Sequence, residues 1–283
     1  MSPALCLIIS GLCFVVVHAS VKFLPGLPAH ELVFFRALIS CSLSLAALRL
    51  ARLSPWGHNK KMLLLRGFAG TIALLLYFRT LQVMPLASAV TIQYLHPIFT
   101  VILAGIFLKE KPTWLQWVFF AASFGGVLLV EGFDGRVTPA EALVGVAAAM
   151  SSAVAYNLIR ALRTEDHALV VVFYLPFVNL LVTAPLTMMD WVMPQGYEWS
   201  ILILIGVFTQ IAQYFMTLAY QGERASNISN LNYLGIVYAL VVGWLVWNES
   251  VEPMAFIGMG IITLSAILST RFGRAGAVTS RSS

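Results

Sequence analysis

Ten apolar runs of near-bilayer length, separated by short polar segments, fill almost all of the 283 residues. They lie at about 3–21, 31–48, 62–81, 86–108, 115–130, 140–162, 168–188, 199–220, 225–247 and 253–269. Most match the ~17 to 25 residues that a helix rising 1.5 Å per residue needs to cross hydrocarbon; the fifth and tenth are the shortest. The runs are continuously apolar rather than alternating, and a spanning segment must satisfy its own backbone hydrogen bonds, so they predict helices rather than barrel strands. The expected fold is therefore an all-α integral membrane protein with ten transmembrane helices. Charged residues are 10% of the chain and hydrophobic ones 60%, where a soluble domain has about 25% and 45–50%. That balance excludes a water-soluble globule.

Helix-start chemistry supports two boundaries. Thr113 with Gln116 opens the fifth run, and Thr138, Pro139 and Glu141 open the sixth, both in capping-box spacing. The first run lacks a basic leader and reads as a retained span rather than a cleaved signal. Cys6, Cys13 and Cys41 all fall in apolar runs, which predicts buried helix residues and no disulfide framework. Residues 271–283, polar and rich in Gly, Ser and Arg, are expected to form a disordered tail.

A net charge of +5 could suggest nucleic acid, but the seventeen basic residues sort by side. With ten spans, the amino terminus, the even-numbered turns and the tail share one face. That face receives Arg49, Arg52, Lys60, Lys61, Arg66, Lys109, Lys111, Arg160, Arg163, Arg224, Arg271, Arg274 and Arg281. Lys22, Arg79 and Arg136 fall on the other side, and Arg36 stands within the second span. The positive-inside rule then puts both termini in the cytoplasm of a cell with a multi-pass protein in its plasma membrane, the inner membrane of a bacterium. The charge is topology, and no nucleic-acid partner is expected.

The chain repeats itself at a lag of about 138 residues. Tyr77-Phe78-Arg79-Thr80-Leu81 returns as Tyr214-Phe215-Met216-Thr217-Leu218, Ala87-Ser88 as Ala225-Ser226, Tyr94-Leu95 as Tyr233-Leu234, and Glu110 as Glu249. Five spans per half is an odd number, so the second copy starts from the opposite side of the membrane. The expected organisation is two inverted five-helix repeats, residues 1–135 and 136–270. Such repeats around a midplane site allow equivalent inward-open and outward-open states, an architecture recurrent in secondary transporters.

Phe35-Arg36, Arg66-Gly67, Pro85-Leu86-Ala87-Ser88-Ala89, His96-Pro97 with Phe99, and Leu108-Lys109-Glu110-Lys111 in the first half resemble an EamA-type member of the drug/metabolite transporter superfamily. In the second half the Ala-Ser start of the ninth run, Tyr233-Leu234 and Asn248-Glu249 carry the same resemblance, which extends over nearly the whole chain as two successive units. It implies ten helices, cytoplasmic termini and a central cavity for a small-molecule metabolite, with no cofactor. It does not name the substrate, since similar proteins are associated with amino-acid export and with uptake of S-adenosylmethionine or riboflavin. Where Pro97 stands in the first half the second has Ile236, so a proline break is expected in only one of the two equivalent helices.

Polar residues inside spans are costly and should turn toward protein or a wet cavity. In the eighth run Gln210, Tyr214, Thr217 and Gln221 form one helical stripe with Gln213 beside it. In the fourth, Gln93, His96 and Thr100 share a face next to Pro97, which frees a backbone carbonyl near midspan. With Asn230 and Tyr233 in the ninth run, Tyr156 and Asn157 in the sixth and Tyr77 in the third, these are the candidate lining of a cavity for a neutral or zwitterionic, partly planar metabolite. The alternative is interhelical hydrogen bonding that holds the bundle together.

Arg36 demands a partner: an anionic substrate group, or structural acceptors such as backbone carbonyls or Glu31 at the mouth of its span. Glu110 and Glu249 are expected to favour the positive ends of the following helices, the alternative being coupling to an ion. Gly125, Gly126, Gly258 and Gly260 permit close helix approach, within one chain or between two copies in a homodimer. No P-loop, HExxH or Cys/His cluster is present, so neither metal nor nucleotide chemistry is expected, and no catalytic residue set stands out. An intramembrane enzyme lacks a nucleophile with a base, or a carboxylate pair in the spans. A channel or scaffold is the remaining rival to a transporter.

Overall fold

The fold is described from a computed structural model, which describes residues 1–21, 23–24, 26–83, 86–110, 112–131, 138–247 and 253–279. Lys22, Pro85, Lys111, Arg136, Asn248, Glu249 and Arg281 lie outside the described residues. Within them the chain is helical, with no strand: α1 Pro3–Val21, α2 Ala29–Leu50, α3 Lys60–Val83, α4 Leu86–Gln93, α5 His96–Phe107, α6 Trp114–Glu131, α7 Pro139–Ala161, α8 Ala168–Met189, α9 Glu198–Gly222, α10 Ala225–Ile228, α11 Leu234–Trp247 and α12 Pro253–Thr279. Seven segments, with α4 and α5 contributing the single stretch Ala89–Phe107, are long and apolar enough to cross a membrane. The expected fifth and tenth spans appear as shorter apolar stretches, Trp114–Leu129 and Phe256–Ser269. Large apolar side chains such as Leu65, Ile72, Ile106, Ile203 and Leu264 are exposed on the bundle surface, as lipid-facing residues are and as those of a soluble protein rarely are.

Both expected capping boxes form. Thr113 donates its backbone N–H to Gln116 Oε1 at 2.8 Å while Thr113 Oγ1 accepts from the Gln116 N–H. Thr138 and Glu141 exchange the same pair of bonds at the start of α7, with Pro139 in its first turn. All three cysteines are free, Cys6 and Cys41 buried and Cys13 half-buried. The helix α12 continues past 269 to Thr279, over residues expected to belong to a disordered tail; no proline follows to stop it.

The two halves interlock. α1 packs on α9 and α7 on α3; α2 packs on α9 and α8 on α3; α2 meets α8, and α6 meets α12. Exchanging the halves turns each of these pairings into another of them or into itself. Close approach of α6 and α12 depends on Gly126, where a Cβ would come within 2.8 Å of Ile262 and 2.9 Å of the Gly258 carbonyl. That places Gly126 and Gly258 against each other inside the chain, while Gly125 and Gly260 face open space.

The fourth and ninth runs are both broken. α4 ends at Gln93 and α5 begins at His96, with Leu95 N–H tightening onto the Ile92 carbonyl. The ninth run, expected to be continuous because Ile236 replaces proline, is instead α10, a 3₁₀ segment Ser229–Tyr233 and α11. The break needs no proline because Ser and Asn side chains compete for the backbone: Asn232 Nδ2 donates to the Ser229 carbonyl at 2.9 Å and to the Tyr220 hydroxyl at 2.8 Å.

Candidate transport cleft

A narrow cleft of about 10 Å³, room for about one water in this closed-down arrangement, lies between α2, α8 and α9. Its polar lining is Arg36 and Ser40 from α2, Asn179 from α8, and Thr209, Gln210 and Gln213 from α9. Ser40, Asn179 and Gln210 each lie roughly 16–18 Å along their helices, hence near the middle of a bilayer. Pro176 sits within α8 on the same wall without breaking the helix. Ser40 Oγ donates to the Gly206 carbonyl at 3.0 Å and ties α2 to α9. Asn179 Oδ1 and Thr209 Oγ1 are buried without a hydrogen-bond partner.

Arg36 forms no hydrogen bond or ion pair among the described residues, so neither of the structural acceptors considered for it, a backbone carbonyl or Glu31, engages it. Glu31, fully buried, instead accepts the Val192 N–H at 3.1 Å and anchors the loop between α8 and α9. A second cation was missed by counting it with the interfacial charges. Arg66 is 1% exposed and donates Nη2 to Gln213 Oε1 at 3.0 Å. Its position four residues inside an apolar run was the available signal; topology counting absorbed it. Arginine has only donors, so the Gln213 oxygen must face Arg66 and its amide NH₂ is left for other partners.

The other candidate residues divide. His96, Tyr156 and Tyr233 come together in a chain of rings with Tyr94 and Tyr220: Tyr233 stacks on Tyr94 at 5.8 Å, Tyr94 on His96 at 6.4 Å, His96 meets Tyr156 edge-on at 5.4 Å, and Tyr156 stacks on Tyr220 at 5.0 Å. This chain joins the two broken helices. Pro97 has no N–H to give the Gln93 carbonyl, and His96 Nδ1 takes that carbonyl at 2.9 Å. His96 Nε2, both amide atoms of Asn230 and the Tyr233 hydroxyl are buried without partners. Gln93 Nε2 bonds Ser152 Oγ at 3.1 Å, and Asn157 Nδ2 bonds the Thr100 carbonyl at 3.0 Å, so both hold helices together. Tyr77 and Tyr214 are half-buried, their rings beside Phe78 and Phe215.

The eighth-run stripe splits as well. Gln210 reaches the cleft, but Gln221 donates to the Asp166 carbonyl at 3.2 Å at the end of the bundle. There it joins a network that the local sequence did not announce. Arg160 donates to Glu110 Oε1 and to the Gln221 carbonyl, both at 2.9 Å, and Glu110 Oε2 accepts the Ala225 N–H at 3.1 Å. Glu110 thus holds α10 of the other half rather than the following helix α6, correcting the expectation. Asp166 accepts the backbone N–H groups of His58 and Asn59. Gly57, at φ +59°, makes room for it: a Cβ there would sit 2.6 Å from Asp166 Oδ1.

The described residues form a bundle of membrane-spanning helices with polar side chains turned inward, and the comparisons with known proteins give its class. The chain belongs to the EamA-like transporter family, whose profile matches it twice, over residues 1–132 and 140–271. It is 32% identical over 273 residues to the pseudopaline exporter CntI of Pseudomonas aeruginosa, covering 95% of this chain and 96% of that one. It is 28% identical to the riboflavin transporter of Vibrio cholerae, over 95% of this chain and 93% of that one. The S-adenosylmethionine uptake transporter of Rickettsia prowazekii is 25% identical, over 83% and 81%. A solved crystal structure shares the fold with a TM-score of 0.87 at 17% identity, covering 96% of this chain and 98% of that one. The protein is a multi-pass membrane protein of a transporter family and not an enzyme.

Proposed function

We propose that the chain is a secondary active transporter that moves a small polar metabolite by alternating access, with two inverted five-helix repeats, residues 1–135 and 136–270, rocking about the mid-bundle cleft. The observation that carries this reading is the set of unpartnered polar groups on that cleft, the half-buried Arg36 and the buried Asn179 and Thr209, which cost free energy in a bundle that merely holds itself together. Support comes from the exchange of helix pairings between halves and from the internal repeat near lag 138. The Glu110–Arg160–Gln221–Asp166 network ties the two halves together at the end that the charge distribution assigns to the cytoplasm.

Proteoliposomes carrying the purified protein test the mechanism, with riboflavin, S-adenosylmethionine, L-leucine, L-glutamate and citrate as probes. A carrier gives saturable uptake that is accelerated by unlabelled probe on the far side. Single-channel conductance, or flux of every probe that does not saturate, overturns the reading. Topology is tested separately with single cysteines at the exposed loop positions Ser54 and Gln195 in a cysteine-free background: an impermeant thiol reagent added to intact cells should label position 195 and spare 54.

A further inference from the structure

We infer that the cleft recognises a carboxylate, and that Arg36 is the residue that binds it; this rests on the transport reading above and names the chemistry of the substrate at that same site. The lining holds a guanidinium without a partner and no Asp or Glu. A cation left unpaired inside a membrane bundle is costly unless a mobile anion completes it. Arginine offers donors in a planar fork that matches a carboxylate bidentately.

The neighbours extend the same logic. Arg66 takes the oxygen of Gln213 at 3.0 Å, which turns the amide NH₂ of Gln213 away from it and leaves donors for the cleft that Gln213 lines. Arg66 is therefore a positioning residue: it fixes which end of an amide is free and adds a second positive charge behind it. Asn179 Oδ1 is the unpartnered acceptor on the opposite helix, suited to an N–H or O–H donor carried beside the carboxylate. A cleft with a cation on α2, amide donors on α9 backed by Arg66 of α3, and an unpartnered acceptor on α8 selects a small acid that bears an amino or hydroxyl group. An uncharged planar ring system satisfies none of the cations.

The test compares acids with their uncharged counterparts on purified protein in detergent. L-leucine, L-glutamate and citrate are each measured against the corresponding methyl ester, with riboflavin as a probe that has no carboxylate, and the shift in melting temperature gives the affinity. At least one acid should stabilise the wild type, and its ester should bind at least tenfold more weakly. Arg36→Gln should abolish the shift while Arg36→Lys keeps part of it, and Gln213→Leu should weaken it less than Arg36→Gln. Melting of each unliganded variant reports folding, and Arg36→Lys keeps the comparison alive if Arg36→Gln does not fold. Equal binding of acid and ester, undiminished binding by Arg36→Gln, or no stabilisation by any acid overturns the carboxylate site. The same probes in proteoliposomes separate this from the transport reading. Saturable flux that ignores Arg36 sinks the carboxylate site alone, whereas Arg36-dependent binding without flux sinks transport alone.

Discussion

The helix broken between α4 and α5 and the one broken between α10 and α11 occupy corresponding places in the two halves, yet they are broken by different chemistry. In the first, Pro97 withholds a donor from the Gln93 carbonyl and His96 Nδ1 fills the vacancy at 2.9 Å. In the second, Ile236 stands where proline would be, and the backbone is diverted by Asn232 onto the Ser229 carbonyl and Tyr220. That second break is also held from outside. Gln116 donates to the Ser226 carbonyl at 3.1 Å and to Asn227 Oδ1 at 2.9 Å, and Glu110 receives the Ala225 N–H. One break is written into the backbone; the other is made by side chains of its own half and held from outside by neighbours of the opposite half.

If so, the second break should be the more sensitive to distant substitutions. The largest effect is expected for Glu110→Ala, which strands Arg160, only 6% exposed, beside an unanswered Ala225 N–H. Breaking a buried pair from one side costs about 3–5 kcal/mol, readable as a large fall in detergent melting temperature. Glu110→Gln should lose less, since it still accepts the N–H. A melting temperature unchanged in Glu110→Ala would show that the clamp does not hold α10.

Gln116→Ala comes next. It removes two bonds to the 226–227 segment while leaving buried acceptors, and the expected loss is about 1–3 kcal/mol. Hydrogen exchange should quicken at 225–233 and stay unchanged at 93–97; equal quickening at both breaks would dissolve the comparison. Asn232→Ala should cost about 1 kcal/mol, and a double-mutant cycle with Tyr220→Phe should return a coupling of about 0.5–1.5 kcal/mol. Zero coupling would mean that the 2.8 Å contact contributes nothing.

Pro97→Ala should have the smallest effect, within about 1 kcal/mol in either direction, because the new N–H merely competes with His96 for one carbonyl. The break should weaken without closing, because His96 Nδ1 still holds the Gln93 carbonyl. Strong amide protection running continuously from 90 to 100 would show instead that proline alone interrupts the first helix.

Much of the fold was legible because its signals are local. Apolar run length, the boxes at Thr113 and Thr138, and the break at Pro97 depend on residues within a turn or two of one another. The second break was not legible, since Asn and Ser in a span announce polarity but not whether a side chain will turn onto its own backbone. In the site, Gln210 and Gln213 line the cleft, whereas Gln221 continues the same stripe and ends up bonded to a loop. Helical periodicity gives direction around an axis but not depth along it relative to a neighbour.

What the sequence alone determined is the membrane character, the helical class, the internal repeat and the roster of polar residues that hydrocarbon would reject. Only the tertiary structure decided which of them meet. Arg36 and Arg66 are alike in sequence, each a few residues inside an apolar run. One is left unpaired on the cleft and the other is bound to Gln213, 147 positions away. Glu31 looked like an answer to Arg36 because it is near in sequence, but its Oε2 accepts a backbone N–H 161 positions away and its Oε1 has no partner. Hydropathy is a property of each segment, whereas a buried donor's partner is set by which helices pack and at what stagger, and that is fixed only when the two halves interlock.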